Sequence, residues 1–322
     1  MRLCLLLAMV ASAWAADPVA SIKSELPFDP TFGYLPALLE ALHIPSESQI
    51  AVFSKTSIQS LRIEPANPRL LYFNDHIIVG AVHGGFLELA AQNPEQGIQF
   101  YTLQQRPGEH LVHRQDCLNC HKSGTTLIRS VIPTPDGIPS RESDQPWGGW
   151  FVTGAAVPPH IGNAVFEPQK REMSPPVASD IVALTVFAHQ MRMMNLLAHP
   201  DNINDLVDHL LFVNESFPNP IQGDPGFTQI FEASGPRDRH GRSLRQFDLN
   251  RRLMRYPCSY MIYTAAFDAL PAPTKAAVYR RMWTVLDKFP PADRQAVIEI
   301  LRDTKPDLPA YFGRIEVTRF PR

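Results

Sequence analysis

Cysteine is scarce in this chain, with four among 322 residues, and Cys4 lies inside an N-terminal leader that export would remove. The three that remain, Cys117, Cys120 and Cys258, are an odd number for an oxidising compartment. A zinc site would need a second ligand pair at matching spacing, and Cys258 stands alone. Beyond the leader no apolar run approaches the ~20 residues that cross a bilayer, so no transmembrane segment is predicted. Positive charge has no surplus either: the formal net charge is −2, which argues against a nucleic-acid partner and leaves only the stretch Arg237 to Arg255 as a local basic patch. The sequence also lacks a repeat of fixed period, a Walker-type phosphate loop, a nucleophile motif and a paired-carboxylate pattern for hydrolysis.

What the sequence does carry begins with that leader. Arg2 supplies the positive start, Leu3 to Ala11 the apolar stretch and Ala13-Trp14-Ala15 an A-x-A cleavage site, which predicts a signal peptide over 1–15 and a mature chain from Ala16. Losing fifteen of 322 residues leaves 307, and losing Arg2 takes the net charge from −2 to −3. A secreted, periplasmic or extracellular location follows as the expectation. Proline is abundant, at 31 residues, and predicts many short elements joined by stiff loops.

Cys117-Leu118-Asn119-Cys120-His121 reads C-x-x-C-H, the pattern for covalent attachment of c-type haem. Two thiols add to the porphyrin vinyl groups and the adjacent imidazole becomes an iron ligand. Both sulfurs must reach one edge of the macrocycle while His121 turns beneath the metal, which calls for a short turn or a helix start. The competing readings are a disulfide, half of a zinc site, or a chance cysteine pair beside a histidine. One haem c, held by Cys117 and Cys120 with His121 as proximal iron ligand, is the predicted cofactor.

Around the motif the chain divides into an N-terminal wrap and β meander over 16–110, a haem-binding region over 111–200 and a helical region over 201–322, the last two allowed to be continuous. Five prolines punctuate Ala16 to Ser48, with a short helix at Leu35 to Leu42. Short β-type runs follow at Ile50–Phe53, Leu70–Phe73, Ile77–Val82, Phe86–Ala91 and Ile98–Leu103, separated by turn signals at Asn74-Asp75, His83-Gly84-Gly85 and Asn93 to Gly97. His76 and His83, in or beside turns, read as solvated loop histidines. His110 and His113 precede the motif too closely to serve as opposite-face ligands. The strongest helix spans Asp180 to Ala198, with Ser179 as N-cap and Pro200 as stop, and is apolar nearly all round, hence buried. Further helices are predicted at 202–213, 226–233, 243–254, 274–286 and 292–302.

The position opposite His121 has four candidates: His189 and Met193 from the long helix, Met173 from a Met-Ser-Pro-Pro loop, and His160 from a glycine-flanked loop; an open site is a fifth possibility. Trp147 and Trp150, interleaved with glycines, offer flat apolar surface for a pocket wall and equally for a core corner. Cys258, alone, is expected to be a buried thiol, the other option being an intermolecular bond.

Several blocks besides the motif resemble a group of exported bacterial proteins with one C-x-x-C-H and a cytochrome c-like core: Val52 to Ser57, Asn67-Pro68-Arg69, Tyr72-Phe73-Asn74-Asp75, Trp147-Gly148-Gly149-Trp150, His160-x-Gly162-Asn163, Asp180 to Leu184, His189-Gln190, Tyr256 to Tyr260 and Phe267 to Pro271. The resemblance covers most of the mature chain and implies covalent haem and electron transfer, with a redox protein as partner. The fold expected is α+β, mainly α: a small antiparallel meander, a cytochrome c-like helical haem core and additional C-terminal helices. The expected function is electron carriage in the periplasm rather than enzymatic turnover. The alternatives are a haem-dependent peroxidase or oxidase with a displaceable sixth ligand, and a haem-free C-x-x-C thiol-disulfide oxidoreductase.

Overall fold

Alternate residues of an extended strand point to opposite faces, so a strand that is apolar at every position must be covered on both sides. The run Ile77-Ile78-Val79-Gly80-Ala81 is buried throughout and shows what the chain does with that requirement. The computed structural model describes Val19, Ile22, 25–55, 57–119, His121, Leu127, 149–155, 164–165 and 178–313. Its centre is a six-stranded antiparallel sheet in simple meander order, formed by β1 (Ile50–Val52), β2 (Arg69–Phe73), β3 (Ile77–Ala81), β4 (Leu87–Asn93), β5 (Gly97–Leu103) and β6 (Val112–His113). One face presents Val52, Phe73, Ile78, Ala90 and Phe100 to a large cluster that extends through the C-terminal helices. The other presents Tyr72, Val79, Leu89 and Leu103 to the N-terminal segment, where helix α1 (Leu35–Ala41) lays Leu38 and Leu39 against them.

The turns are built by the residues that predicted them. The Asn74 side chain accepts from the amides of His76 and Ile77 at 3.0 Å each, and Asn93 does the same for Glu95 and Gln96 at 2.9 Å. Gly84 and Gly97 take left-handed φ of 74°, a conformation that costs glycine little. Gly80 is required by space instead: a Cβ there would meet the guanidinium of Arg69, which pairs with Glu88 at 2.8 Å.

Helix α2 (Ile181–Ala198) starts at Asp180, whose carboxylate accepts from the amides of Val182 and Ala183 at 2.9 Å. Ser179, the expected cap, stitches the helix start to the strands instead. Its hydroxyl donates to the Phe151 carbonyl at 2.6 Å and accepts from the Ala51 amide at 2.9 Å. Phe151 belongs to β7 (Phe151–Val152), which pairs in parallel with β8 (Ala164–Val165). By length and composition α2 could cross a bilayer, but most of it is buried inside this fold. The chain continues through α3 (Ile203–Leu210), α4 (Pro225–Ala233), α5 (Ala265–Asp268), α6 (Ala272–Leu286) and α7 (Pro291–Thr304).

Two expectations are corrected. The chain is a mixed α+β fold organised on a six-stranded sheet, and no cytochrome c core occurs among the described residues. The physical reason is that the helices after the motif spend their apolar faces on the sheet and on one another, and β6 delivers the motif as a turn at the sheet edge. The helix expected at 243–254 is a hairpin-like loop, with Phe247 bridged to Met254 and Leu249 at φ 59°.

Candidate functional site

The C-x-x-C-H segment leaves β6 and tightens at once. Arg114 donates to both carboxylate oxygens of Asp116, at 2.8 and 2.6 Å, and its backbone N–H donates to the Phe100 carbonyl at 2.8 Å. Residues Asp116–Asn119 form a 3-10 turn, and the His121 amide donates to the Cys117 carbonyl at 3.1 Å, closing one helical turn across the motif. That bond ties the backbone of His121 to that of Cys117. Cys117 is half-buried against the main core, and the His121 ring lies on the Phe100 ring with centroids 4.4 Å apart. Farther along, Leu127 is gripped by Asn195 of α2, whose amide accepts from the Leu127 N–H at 2.6 Å and donates to its carbonyl at 2.8 Å. Cys120, Trp147, His160 and Met173 lie outside the described residues.

The described part of the donor set fits haem c. The Cys117 thiol is half-buried against the core, and the His121 imidazole is backed by an aromatic ring. The remaining candidates are placed differently. His189 sits on α2 with its Nε2 2.7 Å from the Ser259 hydroxyl and its ring between His209, at 4.4 Å, and Phe212, at 4.5 Å. Its Nδ1 is buried without a hydrogen-bond partner. Burial holds His189 neutral, driving its pKa well below the ordinary histidine value, with His209 and Arg192 adding to the effect. Met193 is fully buried in the core, and Trp150 is enclosed beside Phe187 at 5.9 Å. Among the described residues no three histidine, cysteine, aspartate or glutamate side chains gather as a metal cluster.

A Ser–His pair at hydrogen-bond distance invites a nucleophile reading, but Ser259 is wholly buried and serves as an N-cap, accepting from the Met261 amide at 3.2 Å. Its neighbour Tyr260 belongs to a polar network that sequence reasoning missed. Gln190 donates to the Asn74 carbonyl at 2.5 Å and accepts from the Tyr260 hydroxyl at 3.0 Å. Arg245 pairs with Asp75 and lies over the rings of Phe231, at 4.7 Å, and Tyr260, at 4.4 Å. The network ties the β2–β3 turn, α2 and the C-terminal region together. Its signal was present in the blocks Asn74-Asp75, His189-Gln190 and Ser259-Tyr260, which are far apart in sequence and adjacent here.

No protein-family model, no curated protein and no solved structure matches this chain. The resemblance to exported mono-haem proteins therefore rests on the sequence blocks named above. Cys258 is fully buried, as expected of a lone cysteine, and desolvation pushes its thiol pKa far up, which keeps it protonated and unreactive. The stretch Arg237 to Arg255 is largely neutralised by ion pairs: Arg239 with Asp303, Arg242 with Asp238 and Glu299, Arg245 with Asp75, Arg251 with Asp248 and Arg252 with Asp293. A strong basic surface is not what this stretch makes.

Proposed function

We propose that the protein is an exported electron carrier with one covalent haem c, attached through Cys117 and Cys120 with His121 as proximal iron ligand. The observation that carries this reading is the closed Cys117–His121 turn, with the imidazole on Phe100. Bound there, the haem would supply a one-electron couple between ferric and ferrous iron. The chain's own residues would do the rest. The Arg114–Asp116 pair fixes the approach to the turn, Phe100 backs the imidazole, and the core packed against Cys117 would shield the bound group on that side. For His189 to be the distal ligand, Nε2 would have to leave Ser259 or Nδ1 would have to be the coordinating atom.

A thioredoxin-like reading of the cysteine pair wants a βαβ unit around it, and the described strands before it are antiparallel hairpins. The proposal is tested by spectroelectrochemical titration of the purified exported protein, with carbon monoxide and cyanide added to its ferrous and ferric forms. Reversible one-electron cycling with refusal of both ligands supports carriage. Rapid binding of either points to a displaceable or open site and to catalysis.

A further inference from the structure

We infer that Phe100 and Asn195 are positioning residues for the His121 imidazole, an inference that rests on His121 being an iron ligand. Cys117 in the motif turn is half-buried, Leu118 is exposed at 41%, and β6 before it is two residues long with both side chains exposed. Two contacts bear on the ligand separately, one on its ring and one on the backbone that follows.

Phe100 acts on the ring. It is buried at 6% exposure on the central face of β5, and its carbonyl is occupied by the Arg114 amide at 2.8 Å. It is also paired with Ala90 across β4–β5, so its place is set by the sheet. Its ring lies 4.4 Å from the His121 ring at 32°, so the imidazole plane is set by a side chain fixed to the sheet. Asn195 acts on the backbone at Leu127. Its side-chain amide pairs with both backbone groups of Leu127, at 2.6 and 2.8 Å, as a neighbouring strand would, and Leu127 buries its side chain in the core. The chain is thus held upstream at the β5–β6 pairing and downstream on α2, six residues past His121. Metal-bound imidazoles depend on outer partners for ring orientation, and that is the role assigned to these two residues.

The test compares wild type with Phe100→Leu, Phe100→Tyr, Asn195→Leu and Asn195→Gln, each produced with haem-maturation machinery. Haem per chain is read by pyridine haemochrome, the ferric axial field by electron paramagnetic resonance, folding by far-UV circular dichroism and loop anchoring by amide exchange at Leu127. Phe100→Leu should retain haem and fold while its resonance broadens and shifts, and Phe100→Tyr should restore the wild-type spectrum. Asn195→Leu should raise Leu127 exchange about tenfold, as loss of two ~0.5–1.5 kcal/mol hydrogen bonds implies, and broaden the resonance as well. If Phe100→Leu does not fold, the Asn195 variants carry the decision. Haem-loaded, folded variants with an unchanged resonance would overturn the positioning role and leave the haem reading standing. A wild type without haem would overturn both.

Discussion

Lowering the pH from about 7 to about 5 should destabilise this fold through His209, and the structure sets the size of the effect. Its Nε2 lies 3.1 Å from the backbone carbonyl of His189, and its ring packs 4.4 Å from that of His189. Desolvation lowers its pKa from 6.5 to about 4; the carbonyl bond, next in size, opposes it, and Arg192 adds a smaller lowering. A base whose folded-state pKa is depressed is protonated first in the unfolded chain. The stability tied to its neutral form is therefore full above the unfolded value of 6.5 and is lost as pH falls toward about 4. Between about pH 7 and pH 5 the loss is about 2 kcal/mol for this one group, an upper figure because the ring retains some contact with solvent. His189 shifts the same way and adds to the total, as does His76. Urea unfolding of wild type and His209→Gln at a series of pH values isolates the contribution. The wild-type curve should fall more steeply by about 2 kcal/mol across this interval. Parallel curves would refute the assignment of a buried neutral His209.

Asp180→Ala should cost about 2–4 kcal/mol in urea unfolding. It removes a helix cap and also strands the Asp224 amide, which donates to the same carboxylate. A loss below ~0.5 kcal/mol would show that the cap is not used. Tyr260→Phe and Gln190→Leu, combined in a double-mutant cycle, should reveal a coupling of about 1 kcal/mol, whereas additive losses would mean that the 3.0 Å bond contributes nothing. Arg245→Met should cost about 2–4 kcal/mol, since it leaves Asp75 unpaired and removes the guanidinium from over the Phe231 and Tyr260 rings. Cys258 should resist a maleimide in the native protein and react once unfolded in urea, because desolvation raises its thiol pKa and the side chain is fully buried; native labelling would contradict that placement.

The hairpins from β2 to β5 were legible because apolar runs there are separated by residues with a turn function of their own: Asn74 and Asn93 by side-chain acceptance, Gly84 and Gly97 by positive φ. The short helix expected at Leu35 to Leu42 is present as α1, with Leu38 and Leu39 packed against the sheet. At α2 the polar pair Ser179-Asp180 was ambiguous by one position, since both side chains can cap and only packing against Phe151 and Ala51 decides between them. The segment 243–254 misled because Leu244, Phe247 and Leu249 to Met254 approximate helical spacing. Long-range forces win there: Arg245 is drawn to Asp75 and Arg252 to Asp293, while Asp248 and Leu249 close a hairpin onto Leu253 and Arg252 at 3.0 Å. The expected cytochrome c core failed for a related reason. The motif fixes the chemistry of a few residues and says nothing about which scaffold carries them.

The site divides the same way. The closed turn at Cys117–His121 was legible from spacing, whereas Phe100 and Asn195 were not, because neither carries a motif and both act through contacts formed only after folding. The His189–Ser259 bond joins residues 70 positions apart, and no local pattern announces it.

The pyridine haemochrome assay with intact mass, applied to exported wild type beside Cys117→Ser and Cys120→Ser, bears most directly on the central claim. The account predicts one haem per wild-type chain, a matching mass increment that survives denaturation, and loss of that stable stoichiometric attachment in each variant. Colourless wild-type protein at the mass of the bare chain, obtained from cells that mature other c-type haem proteins, would contradict it.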